Sequence, residues 1–152
     1  MKGVFGIASA AALMEKLESE YSHFVGRPHD SNVAYNFFVT AWHLLEWKYP
    51  DPGGKTTRES LRNHSPLLQV CEHIAVGAKH FEPTSAKHQS VSASERSGVW
   101  AEGTWKKGVW KEGAWASWLT ITLEGAAESA YGKKIKAHEF ARHVMEYWRA
   151  NL

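Results

Sequence analysis

Apolar residues at Leu13, Leu17, Tyr21 and Phe24 recur close to the helical period, with Glu15, Lys16, Glu18 and Glu20 between them. This predicts an amphipathic first helix over about 8–25. "GRPHDS" interrupts it, and Asp30 or Ser31 is placed to cap a second helix that runs to about Lys48. That segment, "SNVAYNFFVTAWHLLEWK", is apolar almost all round, as a central helix packed on several sides is. Its polar exceptions Asn32, Asn36, Thr40 and His43 follow spacings of four, four and three and so share one stripe. A polar stripe on a mostly buried helix needs partners.

The prolines and glycines of "YPDPGGK" stop the helix. Thr56 and Glu59 have capping-box spacing for a short helix, "TTRESLRN", and Ser65-Pro66 reads as the cap and first turn of the next. In "SPLLQVCEHIAVGAKHF" the apolar face is Leu67, Val70, Cys71, Ile74, Ala78 and Phe81. Gln69, His73, Val76 and His80 lie on the other side. Residues 82–97 are polar and poor in aliphatics, which predicts a connector. "SWLTITLEG" alternates as a half-buried strand does, and a last helix over about 133–150 buries Ala137, Ala141, Val144, Met145 and Trp148. The expected fold is mainly α: one domain over 1–152, a bundle of four to five helices with a small inserted β-hairpin region at about 98–124.

That insertion opens with "GVWAEGTWKKGVWKEGAW", in which Trp100, Trp105, Trp110 and Trp115 each follow a glycine by two positions. Glycine every fifth residue excludes a helix, at about 1 kcal/mol each. The pattern resembles pentapeptide-repeat solenoids, but one coil cannot stack on itself. A hairpin turning at "KKG" uses the same residues and leaves aromatics on both faces. Trp100 and Trp110 on one face, with Lys106, Lys107 and Lys111 nearby, resemble stacking platforms for single-stranded nucleic acid. An oligomer interface is the alternative.

With 152 residues the chain can bury a core without staples. A lone cysteine excludes an intramolecular disulfide and points to a reducing, cytoplasmic compartment. A signal-like opening, "MKGVFGIASAAALM", merges into the first helix, and no run reaches the roughly twenty apolar residues of a membrane span. Net charge of +2 restricts polyanion binding to a local patch, for which Lys133, Lys134 and Lys136 are candidates. Walker, dinucleotide-binding and Cys-x-x-Cys motifs are absent, and the histidine spacing matches no di-iron pattern, so neither cofactor nor metal is expected.

"RESLRNH" places Arg58 and His64 either side of a short polar spacer. This is similar to the arginine and histidine motif of the HEPN family, small helical-bundle domains that often dimerise and cleave RNA without metal. The resemblance implies RNA or a nucleotide as partner, a homo-oligomer, and catalytic roles in which histidine moves a proton and arginine stabilises the phosphate. His43 and His80 are further candidates for proton transfer. Ligand-binding candidates are Asn36, Thr40, His73, Lys79, Trp100 and Trp110. The polar stripes of the second and fourth helices are expected to share one cleft, with His43 facing His73 or His80 and Lys79 at the rim. A solvated helix face and a loop histidine are the plainer account of Arg58 and His64.

Overall fold

The computed structural model describes residues 5–79, 89–97 and 118–152. These form six helices and three strands: α1 (Ala10–Gly26), α2 (Ser31–Lys48), α3 (Lys55–His64), α4 (Pro66–Lys79), β1 (Val91–Ser97), β2 (Trp118–Leu123), α5 (Gly125–Tyr131), β3 (Lys134–Lys136) and α6 (Ala137–Asn151). The mainly α fold with a small β region is the one expected. The repeat tryptophans Trp100, Trp105, Trp110 and Trp115, the proposed hairpin turn and His80 lie outside the described residues.

Side chains set the helix starts. Ser9 accepts from the Ala12 amide at 3.1 Å, Asp30 accepts from Asn32 and Val33 at 3.0 and 3.2 Å, and Ser65 accepts from Leu68 at 3.3 Å. Each satisfies an amide that the first turn leaves without a helical acceptor. The capping box expected at Thr56 and Glu59 does not form, because α3 begins one residue earlier and its cap is Gly54, without a side-chain bond.

α1 and α2 pack through Leu13, Leu17, Phe24, Phe37, Phe38, Ala41, Leu44 and Leu45, all buried, and α6 closes the core with Phe140, Ala141, Val144, Met145 and Trp148. Phe38 stands edge-on to Phe37 with centroids 5.2 Å apart and lies 6.2 Å from Phe140. Aromatic pairs at such separations add to the area they bury. Arg149 clasps α6 to α1, giving Nε and Nη2 hydrogen bonds to Glu18 at 2.8 and 2.7 Å. This bidentate bond is the main reason the Glu18 carboxyl titrates below its ordinary value.

Three sequence expectations change. The connector foreseen over 82–97 is a strand in its second half, since β1 pairs antiparallel with β2. The helix foreseen from Lys133 starts at Ala137, because Lys134–Lys136 pair with Thr120–Thr122 as β3. Between them lies α5, whose last turn ends at Gly132 with φ +87, a conformation that favours glycine. β2, in the middle of the order β1-β2-β3, is covered on both faces: Thr120 and Thr122 are buried along with Ile121 and Leu123. The half-buried reading of the alternation is therefore corrected.

On α6, the His138 Nδ1 is buried without a hydrogen-bond partner among the described residues. Desolvation, the largest cause, pushes its pKa below the ordinary 6.5, Glu139 working against this and Lys136 with it. A base with a depressed folded pKa binds fewer protons folded than unfolded. Stability is therefore lost as pH falls from the unfolded value of about 6.5 toward the lower folded one. Thermal unfolding between pH 7.5 and 5.5 should show a steeper fall for the wild type than for His138→Leu. Equal slopes would remove His138 from the account.

Candidate functional site

Four helical residues organise the approach to β1. The Gln69 amide donates to the carbonyls of Arg62 and Asn63, both at 3.2 Å, fixing α4 to the end of α3. The backbone carbonyl of Gln69 accepts from the Ser90 hydroxyl at 3.1 Å. His73 Nδ1 accepts from the Val91 amide at 3.2 Å, which requires its lone pair there and puts the proton of the neutral ring on Nε2. β1 thus enters the sheet from an anchor on α4. Beneath the anchor, Arg62 Nε donates to the buried Glu72 carboxylate at 2.6 Å.

The anchor holds β1 apart from α2 and leaves a groove of about 530 Å³. Its helical wall is Ala34, Tyr35, Phe38, Ile74 and Gly77, with Ser31 at one end and His73 at the other, and its sheet wall is residues 91–96 and 119–121. Residues directly opposite across an antiparallel pair share a face. The pairs Ser94↔Ile121 and Arg96↔Leu119 therefore put Ser94 and Arg96 on the face whose other members, Leu119, Ile121 and Leu123, join the hydrophobic core. Ser94 and Arg96 themselves remain exposed. The pair Glu95↔Thr120 turns the neighbouring carboxylate to the opposite face, where Lys134 Nζ donates to it at 3.0 Å. Leu119 N–H donates to the Pro28 carbonyl at 3.2 Å, which ties the Arg96 end of the groove to the start of α2.

Of the residues singled out in the sequence, His73 lies in this groove, and Asn36, Thr40, His43, Arg58 and His64 do not line it. The α2 stripe turns elsewhere. Phe38 and His43, five positions apart, lie about 140° apart round a helix, so a groove lined by Phe38 faces away from His43. Asn36 and His43 are exposed, and His43 Nδ1 pairs with Glu46 at 2.9 Å. Thr40 is buried and accepts from Lys16 Nζ at 2.7 Å, and the same ammonium pairs with Glu20. The stripe therefore finds its partners on α1 and in solvent, and the cleft expected between His43 and His73 is corrected to one between Phe38, Ile74 and β1; the alternative with His80 lies outside the described residues. Lys79 ends α4.

Arg58 is committed to its own turn. Its guanidinium donates to the Tyr49 carbonyl and to both Asp51 oxygens, the latter at 3.0 and 3.1 Å. His64 Nδ1 bonds the Ser60 carbonyl at 2.8 Å on an exposed surface. Lys133, Lys134 and Lys136 each face a carboxylate, those of Glu128, Glu95 and Glu139 at 3.3, 3.0 and 3.4 Å, which neutralises the basic patch. Burial pushes the Cys71 thiol far above its ordinary pKa, leaving it without thiolate reactivity. Among the described residues, no group of three or more His, Cys, Asp or Glu is placed to hold a metal, and no helix is long and apolar enough to cross a membrane.

Sequence reasoning missed Tyr35, Ser94 and Arg96. Tyr35 was hidden in an apolar run, and the other two fell in the segment read as a connector. The available signal was "VSASERS" directly before the tryptophan repeat, whose partner strand in "WLTITL" was already legible. No protein-family model, curated protein or solved structure matches the chain.

Proposed function

We propose that this is a non-catalytic binding protein whose ligand occupies the groove between α2, α4 and the sheet. The observation that carries the reading is the groove itself: about 530 Å³, inside the roughly 300–1,000 Å³ range of small-molecule sites, with Ala34, Phe38, Ile74, Leu119 and Ile121 beside polar groups that include Ser94, Glu95 and Arg96. A ribonuclease of the HEPN kind needs an arginine and a histidine directed at one phosphate. The engagement of Arg58 with Tyr49 and Asp51 and of His64 with Ser60 supports a structural use of both instead.

The uncharged dye Nile red tests the groove. Its fluorescence should rise on binding the wild type and stay low with Ser94→Trp, which fills the groove from an exposed strand position. Asn36→Trp, on the far side of α2, should behave as wild type. Equal response of all three proteins would overturn the assignment. AMP and a ten-nucleotide oligouridylate serve as competitors, and displacement of the dye by either would place a nucleotide or RNA in the groove. Cleavage of the oligouridylate that is lost in both Arg58→Ala and His64→Ala would establish the ribonuclease in its place.

A further inference from the structure

Arg96 sets the chemistry of one end of the groove. Among the described residues it is the one Lys or Arg lining the groove, and it is exposed. Its neighbour Glu95 also lines the groove, but its carboxylate is engaged by Lys134 Nζ at 3.0 Å. Among the described residues Arg96 forms no ion pair. The apolar part of the lining is Ala34, Phe38 and Ile74 from the helices and Leu119 and Ile121 from β2. A guanidinium presents a planar fork that matches a carboxylate with two parallel hydrogen bonds. Beside low-dielectric walls the attraction of such a pair is screened less than in open water.

Resting on the groove as the binding site, we infer that the ligand is a small amphipathic organic acid, its carboxylate on Arg96 and its apolar chain along Phe38 and Ile74. Charge complementarity favours this occupant over a neutral one, which leaves Arg96 unused. It also disfavours an amine, which Arg96 repels. The half-exposed Tyr35, at 48 %, offers a ring against which the chain lies and a hydroxyl at the solvent side.

Isothermal titration with sodium octanoate, 1-octanol and octylammonium chloride separates the terms, because the three share a tail and differ in head group. Octanoate should bind the wild type at least tenfold more tightly than octanol, and octylammonium more weakly than either. Arg96→Gln should remove the preference for octanoate while leaving octanol unchanged, and Arg96→Lys should keep part of it, since a point charge replaces the fork. Arg96 is exposed, so these variants fold as the wild type does. If octanoate and octanol bind alike and Arg96→Gln alters neither, while Ser94→Trp abolishes both, the groove stands as the site and the acid assignment is overturned. If no probe binds, or if Ser94→Trp leaves all binding intact, the groove reading fails and the inference fails with it.

Discussion

Gly54→Ala is expected to destabilise the protein by roughly 3 kcal/mol, lowering the midpoint of thermal unfolding by about 10 °C for a chain of this size. A Cβ at Gly54 would stand 1.9 Å from the Tyr49 carbonyl oxygen, 2.3 Å from its carbon and 2.7 Å from the Pro50 oxygen. All three are backbone atoms, so no rotamer change relieves the clash. The conformation is not the obstacle, because Gly54 has an ordinary φ of −79. The obstacle is the tight return of the chain, in which Gly54 N–H donates to Pro50 O at 2.9 Å and Arg58 reaches back to Tyr49 and Asp51. Gly53→Ala is the control, since a Cβ there meets nothing within 4 Å. Equal midpoints for the two variants would show that the turn yields cheaply and that Arg58 does not hold it.

The helical half of the molecule was legible because its signals are local. The spacing of Leu13, Leu17 and Phe24 and the capping residues Asp30 and Ser65 depend on neighbours a turn away, and the buried face and caps follow them. The strands depend on partners far along the chain. β1 carries Ser92, Ser94, Glu95 and Arg96 and has little intrinsic strand character; it is a strand because β2, itself strongly patterned, pairs with it. The same applies to Lys134–Lys136, where three residues read as a helix start become β3 through Thr120–Thr122. The groove was hidden for the same reason, being formed by α2, α4 and a strand whose pairing is non-local. His73 was singled out as one of a polar stripe and its role was missed: the ring holds the first amide of β1.

Arg62→Met is expected to cost about 3 kcal/mol, comparable with Gly54→Ala, for an electrostatic reason. Glu72 is 6 % exposed, and a carboxylate so far from water depends on its donors for the solvation it has lost. Arg62 Nε supplies one of these at 2.6 Å, and its Nη1 donates to Asn63 at 3.0 Å. The methionine variant keeps most of the apolar stem and removes the charge, so the loss measures the carboxylate's penalty more than lost packing. Replacing both partners, as Arg62→Met with Glu72→Leu, removes the buried charge along with its partner and should recover much of the stability. Chemical denaturation of the two single variants and the double variant gives the coupling. Loss in the double variant equal to the sum of the singles would show that the two side chains act independently. Recovery would identify the pair as the element joining α3 to α4, directly beneath the residues that anchor β1 and hold the groove open.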